Sequence, residues 1–435
     1  MWNIRRGGAA LTLAVLAGCA ETSAPQTANI VVIVVDTLRA DHLPFHGYHK
    51  DTAPFLTGLA GEATVFDNAY STSSWTAPAT ASLFTSLDPI QHGVVTGRNI
   101  GRKLRIANPT VTLGKIPDEI ETLPEVLKAA GYATYGVSDN FNISQELGFA
   151  QGFDRFDTDW YRGADRINDV LKSWRPGIEE NGKYFLYIHY IDPHIPYNGH
   201  EPWYEQAGDR RRDTLARYDS EISFVDARIR EMYDLFGWNE ETFLIVTSDH
   251  GEEFWDHGGT LHDKTLYDEV LHVPLVMRTP GGERAAARVS EHVSLVDLLP
   301  TIRDFARLEP GEHDLGVSLM GSVRGGGGRD EHSRNLYAHL LKRQAYGPPT
   351  LDMRALIHPE WKLITRAGHP SMLFDYAKDR EERTDLATTL PERVRDLEAE
   401  VGEFETNIQR YTHASVRIDL TAEERRQLEA LGYID

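Results

Sequence analysis

One stretch of the sequence decides the fold: the run Asn29-Ile30-Val31-Val32-Ile33-Val34-Val35, which ends at Asp36. After Asn29 its residues are all apolar and β-branched, without the alternation of polar residues that a half-exposed strand shows. Continuous runs of this kind are typical of strands that are buried on both faces of a parallel sheet. The run therefore predicts a central parallel strand with a carboxylate directly at its carboxyl end.

Three further stretches repeat this pattern, and helical periodicity at residues 120–130 and 215–236 separates some of them. Alternating strands and helices predict a three-layer α/β/α sandwich with a mostly parallel, doubly wound central sheet. Ligands of such sheets bind beyond the carboxyl ends of the strands. We expect acidic and histidine side chains to gather at that edge, although each Asp alone would equally serve as a helix cap. The strands at 132–137, 184–191 and 242–247 end at Ser138-Asp139-Asn140, Asp192-Pro193-His194 and Ser248-Asp249-His250.

A second stretch, Ser74-Trp75-Thr76-Ala77-Pro78 and its continuation to Ser86, predicts a helix. Proline is favoured at the first helical position, so we expect Thr76 just outside the helix N-terminus, where unpaired N–H groups attract anions. A hydroxyl at such a site is a nucleophile towards a phosphate or sulfate ester if a metal lowers its pKa. The alternative is that Thr76 only caps the helix. Asp36, Thr76, Asp249 and His250 together offer a reasonable ligand shell for a divalent cation.

Length and charge limit the classes of domain and partner. At 435 residues the chain exceeds the usual single domain, so we expect one large domain and a smaller one. The formal net charge of −21 argues against nucleic acid and anionic membrane surfaces as electrostatic partners. An acidic protein that handles anionic esters needs local positive charge, which a metal would supply.

The N-terminus has the pattern of a targeting segment. Arg5 and Arg6 precede an apolar stretch, residues 9–17, that is too short to span a bilayer as a helix. It ends in Leu16-Ala17-Gly18-Cys19, which resembles the lipobox of bacterial lipoproteins. That resemblance implies a signal peptide at 1–18, a lipidated Cys19 that anchors the protein to the membrane, and a tether at 19–28. The expected location is the cell envelope, at the periplasmic face of the outer membrane; an ordinary cleaved signal peptide is the alternative.

Motifs between Asn29 and Ala387 resemble the sulfatase family within the alkaline phosphatase superfamily. No single motif is decisive, but their order and spacing are specific. The segments that carry the resemblance are Val34-Val35-Asp36-Thr37-Leu38-Arg39-Ala40-Asp41, Thr76-Ala77-Pro78 with Leu83-Phe84-Thr85-Ser86, Asp192-Pro193-His194, Tyr218-Asp219-Ser220-Glu221-Ile222, Ser248-Asp249-His250-Gly251-Glu252, Lys264-Thr265-Leu266-Tyr267-Asp268-Glu269 with Val273-Pro274, Leu373-Phe374-Asp375-Tyr376 through Asp379, and Asp385-Leu386-Ala387.

The resemblance implies roles for individual residues. Asp36, Asp249 and His250 match metal ligands of one divalent ion (Ca, Mn, Zn or Mg), and Thr76 matches the nucleophile that would join them. His194 and Lys264 match groups that contact the oxyanion or the leaving group. His257 is a candidate substrate-side donor, and His262 is a candidate ligand of a second metal. Thr80 and Asn140 fall on substrate-binding positions of the family.

The chain also departs from the family pattern. Family sulfatases have Cys or Ser, oxidised to formylglycine, at the position of Thr76, which cannot become that aldehyde. The following family Arg is Thr80 here, and the segment that carries a Lys and a His in sulfatases reads Ser138-Asp139-Asn140-Phe141. Related phosphodiesterases and phosphotransferases of the superfamily use an unmodified threonine, and Asp-His at 249–250 resembles the phosphonate and phosphodiester branch.

The resemblance and these departures predict a metal-dependent hydrolase that cleaves phosphate esters, phosphodiesters or phosphonates through a Thr nucleophile. The substrate would be a small-molecule, glycan or lipid-headgroup ester. Two alternatives stay open, which are sulfuric ester hydrolysis and an inactive homologue that binds an envelope glycan or phospholipid headgroup. The oligomeric state is not determined by the sequence.

The remainder of the chain predicts a second unit. We expect the catalytic domain to span residues 29–330 and a C-terminal subdomain to span 331–412, with short strands that form a small antiparallel sheet. The expected strands are Asn335 to His339, Met353 to His358, Trp361 to Arg366 and Met372 to Asp375. A tail helix is expected over 413–435, with Thr421 as a cap.

Overall fold

The structure, a computed structural model, describes residues 28–97, 110–239, 241–282, 287–325, 334–343 and 349–419, together with residues 422 and 426. The predicted signal peptide, almost all of the tether and most of the predicted tail helix lie outside these residues. None of the helices in the described part of the chain has the length and apolarity that a bilayer crossing requires.

A central sheet of eight strands organises the molecule, in the order β11-β2-β10-β7-β1-β6-β4-β5. Its pairs are parallel except those of β10, which runs antiparallel to both neighbours. The strands of the sheet are β1 Asn29–Val35, β2 Thr64–Tyr70, β4 Ala133–Ser138, β5 Arg155–Thr158, β6 Tyr184–Tyr190, β7 Thr242–Thr247, β10 His272–Arg278 and β11 Ala287–Ser294. Outside it, the main domain has β3 Thr110–Lys115 and the short hairpin of β8 Glu253–Phe254 and β9 Thr260–Leu261.

Helices cover both faces of this sheet, which confirms the predicted α/β/α layers. Residues Ile30, Val32 and Val34 of β1 lie in one apolar cluster, with residues of α2, α4 and α8. Residues Val31 and Ile33 lie in a second cluster, with residues of α1, α5 and α6. The uninterrupted apolar run is explained because both faces of β1 are buried. The helices are α1 Pro54–Ala60, α2 Thr76–Thr85, α3 Pro89–His92, α4 Leu123–Ala129, α5 Ala164–Glu180, α6 Arg210–Phe236, α7 Asp268–Leu271, α8 Leu298–Phe305, α9 Met320–Val323 and α10 Pro391–Asn407.

The C-terminal part contains the predicted antiparallel sheet, in the order β12-β13-β14-β15. Leu397 and Val401 of α10 pack on Leu356, Leu363 and Leu373 of this sheet. Its strands are β12 Leu336–Arg343, β13 Pro349–Ile357, β14 Trp361–Arg366 and β15 Met372–Asp375.

Residues 414–419 differ from the prediction. The sequence predicts a tail at 413–435 with a short helix that opens at residues 420–424, and no strand before it, whereas Ala414–Asp419 forms β16, which pairs antiparallel with β3. Its sequence Ala-Ser-Val-Arg-Ile-Asp alternates small or apolar residues with polar ones, a period of two that is typical of strands. The charged residues that follow obscured this short pattern.

Candidate active site

Three neighbouring strands, β7, β1 and β6, bring the predicted residues to one edge of the sheet. Asp36 follows β1, Asp249 and His250 follow β7, and Asp192 and His194 follow β6. Backbone contacts fix the ends of β1 and β7 to each other, because the Thr37 N–H donates to Asp249 Oδ1 at 3.3 Å and the Leu38 N–H donates to Ser248 Oγ at 3.0 Å. The edge therefore holds the side chains on a rigid frame.

Asp36, Asp249 and His250 form a fully buried cluster that fits a cation. One ligand atom from each lies within 4.8 Å of the other two. Asp36 Oδ1 and Asp249 Oδ2 are buried and have no hydrogen-bond partner among the residues that the structure describes, and they lie 3.8 and 3.5 Å from His250 Nε2. His250 Nδ1 donates to the Gly251 carbonyl at 2.8 Å, so the lone pair of the neutral ring is on Nε2. Two carboxylate oxygens and one imidazole lone pair are donors of the type that divalent cations take in proteins.

Electrostatics point to the same conclusion. Burial raises the pKa of Asp249, and the nearby Asp36 carboxylate raises it further. Burial also disfavours the charged form of Asp36, but the hydrogen bond from His189 and the neighbouring imidazoles of His194 and His250 keep its pKa below the usual range. Two carboxylates this close repel each other when both are ionised, and a cation between them removes that repulsion.

Thr76 lies beside this cluster at the start of α2. Its Oγ1 is 3.5 Å from Asp36 Oδ2 and 3.4 Å from His250 Nε2. The helix begins at Thr76 and not at Pro78 as predicted, Trp75 is its N-cap residue, and no side chain caps it. Proline is tolerated at the third position because the first N–H groups of a helix have no intrahelical partner. Thr76 is therefore the first helical residue, and the interpretation as a cap is wrong.

Asn140 connects the nucleophile candidate to the cation cluster. Its Nδ2 donates to Asp36 Oδ2 at 2.7 Å and to Thr76 Oγ1 at 3.2 Å. Its Oδ1 accepts from the Asn142 N–H at 2.8 Å, which fixes the orientation of the amide. Thr80 lies one turn after Thr76 in α2 and is fully buried.

Comparisons with known proteins identify the family of the chain. The sulfatase family profile matches residues 28–308. The chain belongs to the sulfatase family. It is 22% identical to the uncharacterized sulfatase YidJ of Escherichia coli, over 82% of each chain. It is 23% identical to the ulvan-active sulfatase of Formosa agariphila, over 83% of this chain and 77% of that one. The phosphonate monoester hydrolase of Silicibacter pomeroyi has the same fold, with a TM-score of 0.73, 18% identity, and coverage of 88% of this chain and 96% of that one.

This sulfatase-family protein is a hydrolase that acts on phosphoric or sulfuric esters. Enzymes of the family use a divalent metal, and the Asp36, Asp249 and His250 cluster is the candidate metal site of this chain.

The imidazole rings of His194 and His262 lie at the same edge of the sheet, and the ring of His262 lies next to those of both His194 and His250. The ring of His262 lies 4.6 Å from that of His250 and 5.0 Å from that of His194. Burial lowers the pKa of His194 to about 4, and its Nδ1 donates to the Ile195 carbonyl at 2.7 Å. Burial also opposes the charge of His262, but Glu252, 3.1 Å from its Nδ1, raises its pKa to about 9. In this sulfatase-family site His262 therefore holds a proton, whereas His194 is neutral.

Two predicted site residues have their polar atoms engaged elsewhere. His257 Nδ1 lies 2.8 Å from Glu269 Oε1 and its Nε2 lies 3.2 Å from the Glu382 carbonyl, while its ring stacks on Tyr267. These contacts connect the main domain to the C-terminal part. Lys264 is exposed, and its Nζ donates to the Thr260 carbonyl at 2.6 Å.

His189 belongs to the site, and the sequence analysis missed it. Its Nε2 lies 3.1 Å from Asp36 Oδ2, and the residue is fully buried inside β6. The expectation was that functional residues follow the ends of strands, whereas His189 lies before the end of its strand. The signal that could have found it is a lone imidazole within an otherwise apolar and aromatic strand, Tyr184–Tyr190.

Proposed function

We propose that this protein is a metal-dependent hydrolase of monoanionic phosphorus esters, namely phosphodiesters or phosphonate monoesters, with Thr76 as its nucleophile. The observation that carries the proposal is the position of the Thr76 hydroxyl. It is the first residue of a buried helix and lies within hydrogen-bond distance of Asp36, His250 and Asn140. Beside it, two carboxylate oxygens that have no hydrogen-bond partner within the described ranges supply negative charge for a cation.

A divalent cation held by Asp36, Asp249 and His250 would stabilise negative charge on the ester oxygens and lower the pKa of a neighbouring hydroxyl. Thr76 Oγ1 would attack phosphorus as the bond to the leaving oxygen breaks; the proton of Thr76 passes to solvent, and solvent protonates the departing alkoxide to give the alcohol. Asn140 Nδ2 orients the attacking oxygen. The open N-terminal turn of α2 adds unpaired N–H groups that attract the anionic ester. Water then attacks the phosphorus of the Thr76 adduct and regenerates the hydroxyl.

Charge balance favours a monoanion. Asp36 and Asp249 together neutralise a divalent cation, and His262 is paired with Glu252. Burial keeps His194 neutral by lowering its pKa to about 4. Among the contacts of Thr76 in the described structure, none involves Lys or Arg. A dianionic phosphate monoester would need further cationic groups of the kind that bind phosphate bidentately.

Sulfate monoester hydrolysis is the second candidate. It is favoured by the family profile and by curated relatives such as the ulvan-active sulfatase of Formosa agariphila. Sulfate monoesters are also monoanions, so charge does not separate the two candidates. We rank phosphorus esters before sulfate esters because Thr76 cannot become an aldehyde. The covalent adduct of Thr76 must therefore be hydrolysed by attack of water on its phosphorus or sulfur atom.

The test assays the purified protein, stripped of metal and then loaded with Zn²⁺, Mn²⁺, Ca²⁺ or Mg²⁺. The substrates are an aryl phosphate, a bis-aryl phosphodiester, an aryl phosphonate and an aryl sulfate. Thr76→Ala is compared with Thr76→Ser, which keeps a hydroxyl at the same position. Removal of a nucleophile costs on the order of 10⁴- to 10⁶-fold in kcat, and we expect this loss in Thr76→Ala but not in Thr76→Ser.

The substrate pattern decides between the candidates. Turnover of the diester or phosphonate above that of the other two esters supports the proposal. Turnover of sulfate alone would make the protein a sulfatase with an unmodified Thr nucleophile. Full activity of Thr76→Ala would exclude Thr76 as the nucleophile, and an absence of turnover with every metal would favour the inactive, ligand-binding homologue.

We also propose that Cys19 anchors the protein to the membrane, on the sequence pattern of residues 1–19. Metabolic labelling with a radioactive fatty acid should label the wild type but not Cys19→Ser. Release of Cys19→Ser into the soluble fraction is the expected companion result. Equal labelling of both proteins would contradict the proposal.

A further inference from the structure

His189 is a fully buried histidine whose ring contacts the carboxylates of the candidate metal site. Its Nε2 lies 3.1 Å from Asp36 Oδ2 and 4.0 Å from Asp249 Oδ2. Its Nδ1 lies 2.8 Å from the hydroxyl of Tyr187, which is also fully buried. Tyr187, His189 and Asp36 therefore form a continuous chain of hydrogen bonds through the core.

The chain fixes the tautomer of the ring. A carboxylate oxygen only accepts, so Nε2 must carry the proton that is donated to Asp36 Oδ2. Nδ1 of the neutral ring is then an acceptor, and the Tyr187 hydroxyl donates to it. The direction of every hydrogen bond from Tyr187 to Asp36 follows from these two contacts.

The two oxygens of Asp36 are consequently different. Oδ2 accepts from His189 Nε2 and from Asn140 Nδ2 at 2.7 Å, while no described residue provides a hydrogen-bond partner for Oδ1. Two donors on one oxygen fix the rotation of the Asp36 carboxylate about its Cβ–Cγ bond. The other oxygen then faces Asp249 and His250. Second partners of this kind orient metal ligands and tune their basicity.

We propose that His189, held in one tautomer by Tyr187, is a positioning residue that keeps Asp36 Oδ1 directed at the bound cation. The inference rests on the cation site of the proposed function. Removal of such a partner costs about 10- to 100-fold in metal affinity or activity, so we expect a loss in that range for His189→Leu. His189→Gln places an amide N–H near the position of Nε2 and should recover most of the affinity. Tyr187→Phe keeps His189 Nε2 as a donor but removes the hydroxyl that fixes the tautomer of the ring. Its loss of metal affinity should therefore be smaller than that of His189→Leu.

The experiment measures cation binding directly, by calorimetric titration of the metal-stripped full-length protein. The probe is whichever of Ca²⁺, Mn²⁺, Zn²⁺ and Mg²⁺ binds the wild type most tightly. His339→Gln is the matched control, because His339 is also buried and bonded to a carboxylate, Asp88, but has no contact with Asp36, Asp249 or His250 in the described structure. Its affinity should stay within about twofold of the wild type. Circular dichroism of each variant verifies the fold before titration.

The outcomes separate the two proposals. If the wild type binds none of the four cations, the metal site and the proposed function both fail. If the wild type binds but His189→Leu binds equally well, or if Gln restores nothing, only the role of His189 is overturned. Should His189→Leu not fold, His189→Gln still decides, since an affinity within a few fold of the wild type supports the role of His189 and a loss of about 10-fold or more would overturn it.

Discussion

Two buried clusters of carboxylates and histidine in this molecule have similar composition and different hydrogen bonding. In the first, which includes His250, Asp36 Oδ1 and Asp249 Oδ2 have no hydrogen-bond partner in the part of the chain that the structure describes. In the second, Asp88 accepts from the Ile90 N–H at 2.9 Å and pairs with His339 Nδ1 at 2.9 Å, while His339 Nε2 lies 3.4 Å from Glu405. The second cluster is complete without a ligand and joins the two parts of the chain. In the candidate metal site, by contrast, two such oxygens and an imidazole nitrogen converge within 4.8 Å, and this convergence separates it from the second cluster.

The largest expected effect is that two Asp→Asn substitutions, one in each cluster, change the free energy of unfolding in opposite directions. Both are measured by urea unfolding of the metal-free protein. Asp88→Asn leaves a buried charged partner uncompensated and should cost about 3 kcal/mol or more. Asp249→Asn removes repulsion with Asp36, and its amide oxygen can still accept from the Thr37 and His250 N–H groups. We expect it to stabilise the metal-free protein by about 1 kcal/mol while abolishing turnover. Equal destabilisation by both would contradict the distinction between the clusters.

The second prediction concerns pH and the complete cluster. Although burial opposes the charge of His339, Asp88 raises its pKa to about 9, above the value of about 6.5 in the unfolded chain. Its contribution, at most about 3 kcal/mol, is therefore full below about pH 6.5 and is lost as the pH rises to about 9. Hydrogen bonds from His339 and Arg354 hold the pKa of Glu405 at about 2, so Glu405 stays ionised throughout this window.

The measurement is the free energy of unfolding of the wild type and of His339→Gln between pH 6 and 10. The difference between the two proteins should shrink as the pH rises. A difference that stays constant would show that the pKa of His339 does not differ between the folded and unfolded states in this pH range.

The third prediction is that added cation stabilises the incomplete cluster alone. At a free concentration of 100 times Kd, a cation that binds only the folded protein adds about 2.7 kcal/mol. The wild type should show the corresponding rise in Tm, whereas Asp249→Asn should show none. A rise of equal size in both would place the binding outside Asp36, Asp249 and His250.

The smallest effect is expected at His257. Its ring stacks on Tyr267 and its nitrogens contact Glu269 and the Glu382 carbonyl, away from the contacts of Thr76. His257→Gln should cost about 1 kcal/mol of stability, the usual value of one hydrogen bond, and leave kcat unchanged. A large fall in kcat with unchanged stability would instead support the substrate-binding role predicted from the sequence.

Much of the fold could be predicted from the sequence because its signals are local. The run at 29–35 and the strand at 242–247 have the predicted bounds, and the strands at 361–366 and 372–375 do as well. Boundaries that depend on a single position were less secure. Pro78 suggested the first residue of α2, but the helix begins two residues earlier because its first turn does not need the missing N–H.

The sequence by itself determined the sheet, the order of its motifs and the residues Asp36, Thr76, Asp249 and His250 as a group. Strand pattern and motif spacing are properties of the chain, and parallel strands necessarily place their carboxyl ends at one edge. Only the tertiary structure decided which oxygens of those carboxylates lack partners among the described residues, that His189 and Asn140 hold Asp36, and that His257 contacts the Glu382 carbonyl. Those facts depend on distances between residues as many as 153 positions apart, as between Asp36 and His189, and no local pattern encodes such distances.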